Sequence, residues 1–175
     1  MKELILGGVK SGKSRYAEQQ AGDSGLAVCY IATAEVRDAS MQTRIEAHQA
    51  RRPSDWQVVE APYELAEVIA AYSQRDRCLL VDCLTLWLTQ LLCRENTHDL
   101  IHQRSRLLDV VSQATGRLLL VSNEVGGGVM PDNALARRFA DEAGTLHQAL
   151  AEHCDRVTLV TAGLPQHLKT NQSNT

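Results

Sequence analysis

The sequence predicts an α/β fold, a mostly parallel sheet covered by helices, on three observations. Apolar runs of strand length alternate along the chain with longer amphipathic stretches. The runs are continuously apolar, the character of strands buried on both faces. Between the first run and the first amphipathic stretch lies GGVKSGKS, a turn of glycines, lysines and serines.

Taken in order, ELIL supplies a strand at Leu4–Leu6, and the stretch after the glycine turn supplies a helix at Lys13–Ala21. AVCYIA gives a strand at Ala27–Ala32, followed by a helix at Ala39–Arg51 and a short strand at Trp56–Val59. A helix at Tyr63–Arg75 leads into the apolar run Cys78–Val81, and then come helices at Leu84–Arg94 and Leu100–Gln113. The run Arg117–Ser122, a long helix at Asn133–His153 and a last strand at Val157–Thr161 complete the pattern. No repeat, low-complexity block or linker interrupts it, so residues 1–168 are expected to form one domain, with 169–175 a polar, frayed tail.

Composition excludes several classes. At 175 residues and 44% hydrophobic, the chain suffices for one well-packed core. A net charge of −3 argues against nucleic acid as partner, since no bulk basic surface is indicated. MKELILGG is too short an apolar stretch for a signal segment or a membrane span, and a cytoplasmic protein is expected. The cysteines Cys29, Cys78, Cys83, Cys93 and Cys154 lack CxxC spacing and mostly sit in apolar runs, which reads as reduced core residues.

Gly7, four residues, then Gly12-Lys13-Ser14 matches G-x-x-x-x-G-K-[ST] between a strand and a helix, the setting that motif requires. Gly7, Gly8, Val9, Lys10, Ser11 and Gly12 are therefore expected to turn backbone N–H groups towards phosphate oxygens, aided by the N-terminus of the following helix. Lys13 is expected to reach the β- and γ-phosphates and the Ser14 hydroxyl to help hold Mg²⁺. In LLVDC, Asp82 ends an apolar strand, where a carboxylate can hold the metal opposite the loop serine; that is the favoured role, and it is compatible with capping the helix that begins near Leu84. The absence of N-K-x-D removes the guanine-reading device of switch GTPases.

In RIEAHQARR, a helical course places Arg44 and His48 on one face, with Arg51 and Arg52 three and four residues beyond His48. Fixed positive charges keep such an imidazole neutral, hence nucleophilic, and arginines gather polyphosphate. On residue pattern alone, a solvated basic face is the favoured reading. His98 and His102 have metal-pair spacing but no third ligand, so a solvated helix face is expected there. Asn123-Glu124-Val125-Gly126 follows a strand at the end where open α/β sheets bind ligands, and a substrate loop is expected there without a catalytic role for Glu124. In LTLWLTQLLCR, Trp87, Leu88, Leu91 and Leu92 extend apolar surface around most of a helix, and part of it is expected to meet another subunit.

Taken together, GGVKSGKSRYAE, YIATAE, RIEAHQARRPSDWQVVEAP, LLVDCLTLWLTQLL and NEVGGGVMPDNALARRFADEAG resemble, in order, the bifunctional adenosylcobinamide kinase / adenosylcobinamide-phosphate guanylyltransferases of cobalamin biosynthesis. The likeness runs from Glu3 to Gly163 and rests on R-I-x-x-H-x-x-x-R-P-x-x-W followed by N-E-V-G-x-G and L-A-R-x-F. It implies a three-layer, RecA-like P-loop fold, a homotrimer and two reactions. ATP or GTP phosphorylates adenosylcobinamide; GTP then gives GMP to adenosylcobinamide phosphate through a guanylylated histidine, which falls on His48. Some relatives carry two adjacent histidines there, whereas this chain has Ala47 before His48. The resemblance also puts Ala32, Thr33, Ala34, Gln49, Ala50, Arg51, Arg52, Glu60 and Asp82 near the nucleotide, with Glu60 an acceptor for guanine N–H groups or a solvated strand-end carboxylate. The rival readings are another P-loop small-molecule kinase without nucleotidyl transfer and a non-enzymatic nucleotide-dependent regulator.

Overall fold

In the computed structural model, described for all residues except 36–52, 95–96, 130 and 171–175, the strands form one 7-stranded sheet of order β3-β2-β4-β5-β1-β6-β7. The elements are β1 Lys2–Gly7, α1 Lys13–Gly22, β2 Ala27–Ala32, β3 Gln57–Glu60, α2 Leu65–Tyr72, β4 Arg77–Asp82, α3 Leu84–Cys93, α4 Thr97–Gln113, β5 Arg117–Asn123, α5 Ala134–His153, β6 Arg156–Thr161 and β7 Leu164–Thr170. All neighbouring strands pair in parallel except β6 and β7. The helix expected at Ala39–Arg51 lies outside the described residues.

Alternate residues of each central strand serve opposite faces. Leu4, Leu6, Leu79, Val81, Leu118 and Leu120 face one core with Leu65, Trp87, Leu107 and Leu150 of α2–α5. Ile5, Cys78, Leu80, Leu119 and Val121 face the other, against Ala17 and Ala21 of α1. This is why the strands read as unbroken apolar runs: both faces are dry, and each buried Leu or Ile contributes about 1.5–3 kcal/mol. The small alanines let α1 lie close to the sheet and hold the glycine turn at the end of β1.

Two expectations change. Trp87, Leu88, Leu91 and Leu92 are buried by this chain itself, Trp87 fully, and its indole Nε1 donates to the Tyr63 carbonyl at 3.0 Å. The apolar girth of α3 is thus used within the fold, because α3 is wedged against the sheet, α4 and α5. It carries no argument for a subunit contact. Among the cysteines, Cys29, Cys78, Cys83 and Cys154 are buried as free thiols, but Cys93 at the end of α3 is exposed.

Strand β7 was not foreseen. Ala162 and Gly163, with φ of 52° and 80°, form a two-residue turn that folds the chain back along β6, pairing Thr161 with Leu164. The strand extends to Thr170 and so includes Lys169 and Thr170, the start of the expected polar tail. Its Pro165 and exposed polar residues suit an edge strand, which needs no apolar alternation.

Candidate active site

Strand β1 delivers the chain at Gly7 to a tight loop, and α1 leads away from it. A side chain at Gly7 would place its Cβ 2.6 Å from the Val160 carbonyl oxygen and 2.4 Å from Ser11 Oγ, so only glycine fits. The loop bends through left-handed backbone at Lys10 (φ 57°) and Gly12 (φ 98°), closed by the Ser11 N–H donating to the Gly8 carbonyl at 3.2 Å. The first helical bond, Tyr16 N–H to the Gly12 carbonyl at 3.0 Å, follows at once. The β6–β7 turn braces this loop from the side: Gly163 N–H donates to the Ser11 carbonyl at 2.8 Å.

What the loop leaves open matters as much. A Cβ built at Gly8 would meet nothing within 4 Å among the described residues, and Val9 is 81% exposed. The protein itself does not require glycine at position 8, whereas a phosphate lying against that backbone would. Ser11 Oγ is buried without a hydrogen-bond partner among the described residues, an orphan that a bound anion can satisfy.

Lys13 is buried and its ammonium donates to the Gly8 carbonyl at 3.1 Å, spanning the loop. Burial pushes its pKa below the ordinary lysine value, opposed by the nearby Cys83 and Asp82. A phosphate would relieve the same desolvation that now disfavours the charge. Asp82 ends β4, and its Oδ2 accepts from the Tyr30 hydroxyl at 3.1 Å. The N-cap of α3 is Cys83, not Asp82, and no side chain caps that helix. Burial and the adjacent Asp82 push the Cys83 thiol up to about 11, so it stays protonated and inert.

Thr33 locks this corner. Fully buried, its Oγ1 donates to the Cys83 carbonyl at 2.7 Å and accepts from the Cys83 N–H at 2.9 Å, while its carbonyl accepts from Gln90 Nε2 at 2.6 Å. Ala32 and Ala34 flank it, half-buried. The strand register sets Glu60, Ala32 and Asp82 side by side across β3, β2 and β4. Glu60 is exposed at the edge. With strands about 4.8 Å apart, β3 stands four spacings, roughly 19 Å, from β1.

Ser14, half-buried in the first turn of α1, completes the loop set. His48, Gln49, Ala50, Arg51 and Arg52 lie outside the described residues. His98 and His102 are exposed on α4, and among the described residues no group of three or more His, Cys, Asp or Glu is placed to hold a metal ion.

A network on β5 was invisible in the sequence. His147 of α5, buried, is 2.8 Å through Nε2 from Ser122 Oγ, which is 3.3 Å from Thr85 Oγ1; that oxygen accepts from the Asn123 N–H at 2.7 Å. Burial lowers the His147 pKa below its ordinary value, with Glu124 opposing. These residues are far apart in sequence and carry no local motif, so only the packing of α5 on β5 joins them.

A family model described as cobinamide kinase / cobinamide phosphate guanyltransferase matches residues 3–168. The chain is 54% identical to the bifunctional adenosylcobalamin biosynthesis protein CobP of Pseudomonas aeruginosa, over 97% of this chain and 98% of that protein. It is 36% identical to the bifunctional adenosylcobalamin biosynthesis protein CobU of Escherichia coli, over 95% of this chain and 98% of that protein. Among solved structures, the RadB recombinase superposes with a TM-score of 0.53 at 16% identity, covering 90% of this chain and 73% of that one; the likeness is one of P-loop, RecA-like fold.

Proposed function

The chain belongs to the cobinamide kinase / cobinamide phosphate guanyltransferase family, and from that premise we propose that one nucleotide site serves both of its reactions in turn. The observation that carries the reading is the open cradle at Gly8, with Lys13 stretched across the loop within electrostatic reach of Asp82. In the first reaction ATP or GTP gives its γ-phosphoryl group to the aminopropanol hydroxyl of adenosylcobinamide. In the second, His48 attacks the α-phosphorus of GTP, pyrophosphate leaves, and the guanylyl group passes to adenosylcobinamide phosphate. Splitting the transfer in two is what a covalent intermediate achieves.

The loop Gly7–Ser14 binds the phosphates, and its amides with Lys13 neutralise the charge on pyrophosphate as it departs. Ser14 and Asp82 would hold Mg²⁺, which supplies further charge neutralisation at the phosphates. A single carboxylate and a hydroxyl suit that ion, which keeps water and phosphate oxygens as its other ligands and needs no cage of protein groups. The row Asp82–Ala32–Glu60 then runs away from the phosphates towards β3, and Glu60 accepts from guanine N1–H and N2–H₂ at its far end. Ala32 and Ala34 flank that path, with the fully buried Thr33 locking the corner between them; Gln49, Ala50, Arg51 and Arg52, which lie outside the described residues, are proposed to contact the nucleotide.

No helix among the described residues is long and apolar enough to cross a membrane. The working unit is proposed to be a cytoplasmic homotrimer with no nucleic-acid partner.

GTP labelled at the α-phosphate tests the reading. Wild-type protein should acquire acid-labile, base-stable label; His48→Ala and His48→Asn should acquire none and form no adenosylcobinamide-GDP, yet still phosphorylate adenosylcobinamide. Undiminished GDP product from either variant would mean direct transfer between bound substrates.

A further inference from the structure

The two reactions differ in what their acceptors must lose. The guanylyl acceptors, a neutral imidazole and a phosphate monoester, present an unprotonated lone pair. The kinase acceptor is an alcohol, whose proton must leave as the oxygen–phosphorus bond forms and the bond from the γ-phosphorus to the departing nucleoside diphosphate breaks. Building on the two-reaction reading, we infer that Glu124 takes that proton.

Its position follows from register. β5 pairs with β1 so that Ser122 lies beside Leu6 and Asn123 beside Gly7. One residue further on, the Glu124 N–H donates to the Gly7 carbonyl at 3.0 Å. Glu124 is thus tied to the first glycine of the motif. Its half-buried carboxylate is steadied by the Gly126 N–H, which donates to Oε1 at 2.6 Å. Ser122, two residues before it, is held by His147 and Thr85, while Gly126, Gly127, Gly128 and the 97% exposed Val129 after it are open to solvent, leaving room for a bulky acceptor.

Competing groups at this end of the sheet are otherwise engaged. Asp82 accepts from Tyr30 and faces Lys13. Glu35 accepts from the Tyr63 hydroxyl at 3.1 Å, and Glu60 stands at the far edge on β3. His147 is buried against Ser122, out of reach of a substrate. Glu124 is the remaining acceptor beside the loop among these groups, and it passes the proton to solvent.

Glu124→Gln keeps the size and the acceptor for Gly126 N–H but cannot take a proton. It should lower kcat for adenosylcobinamide phosphorylation by about 10²–10⁴-fold, the usual worth of a general base. The KM for nucleotide should stay within about twofold, since no ground-state contact to it is lost. Labelling of the protein by GTP and conversion of preformed adenosylcobinamide phosphate should remain near wild type, and Glu124→Asp should restore part of the kinase rate. Unchanged kinase activity in Glu124→Gln, or an equal loss in both reactions, would reduce Glu124 to a turn-forming residue. A wild-type chain that phosphorylates no corrinoid alcohol would instead sink the two-reaction reading, and the base with it.

Discussion

Gly7 and Gly116 stand at opposite ends of the sheet, and a side chain at either would strike backbone: the Val160 carbonyl oxygen at 2.6 Å for Gly7, the Gln74 carbonyl oxygen at 2.0 Å for Gly116. The surroundings differ. Around Gly116 most polar groups pair within the chain, although the neighbouring Arg117 Nε is buried without a partner among the described residues. The N-terminal ammonium donates to the Gly116 carbonyl at 2.9 Å, Ser73 Oγ donates to the Thr115 carbonyl at 3.0 Å and accepts from its N–H at 2.9 Å, and the Lys2 N–H donates to Asp155 at 2.7 Å. Around Gly7, Ser11 Oγ has no partner and Gly8 faces open space among the described residues. The same steric demand serves closed packing at one end and, on the proposed reading, a ligand at the other. What sets the loop end apart is the combination of an unpaired buried hydroxyl with backbone open to solvent at Gly8; the unpaired Arg117 Nε lies beside a glycine whose Cβ would meet backbone.

The sharpest way to break this contrast is Lys13→Ala. Both reactions should fall by on the order of 10²–10³-fold or more, the scale of removing one preorganised electrostatic contact, while thermal unfolding barely moves. A large loss of stability instead would make the loop end structural like the other.

Gly116→Ala should do the reverse. An incompatible φ of 77° and a backbone collision act together there. A loss of roughly 3 kcal/mol or more is expected, a fall of about 6–12 °C in Tm for a chain of this size, with kcat per folded molecule preserved. Calorimetry beside an activity assay would separate the two.

Gly8→Ala should leave stability unchanged, since its Cβ meets nothing, and weaken nucleotide binding by about tenfold, or about 1.4 kcal/mol. Equal affinity for both proteins, measured by titration calorimetry, would show that no phosphate lies against that backbone.

The smallest effect concerns His147, whose pKa is lowered below 6.5 chiefly by burial. Above pH 6.5 both folded and unfolded chains hold it mostly neutral; as pH falls below 6.5 the unfolded chain takes up the proton first, and stability is lost. His147→Gln should flatten the decline in denaturation midpoint between about pH 6.5 and 5. An unchanged slope would assign the acid sensitivity to other groups.

The loop was legible because it is local: Gly7, Gly12, Lys13 and Ser14 act through spacing alone, and the strands before and after it announce themselves by composition. Asp82 was half legible. Its place at a strand end could be read, but the choice between capping α3 and facing Lys13 waited for the structure, where Cys83 takes the capping position. Strand β7 escaped because LPQHLKT is an exposed edge without apolar alternation, and its turn is Ala-Gly rather than the Asn-Gly that signals a hairpin.

By itself, then, the sequence determined the α/β class, the order of the described elements as far as β6 and the phosphate-loop motif, since periodicity and motif spacing are properties of a few neighbouring residues. The tertiary structure alone decided which distant groups meet. It placed β5 between β1 and β4, tied Glu124 to Gly7, set His147 against Ser122 and braced the loop with Gly163. Such contacts follow from strand order and helix packing, which sum weak preferences over the whole chain and leave no mark at any single position.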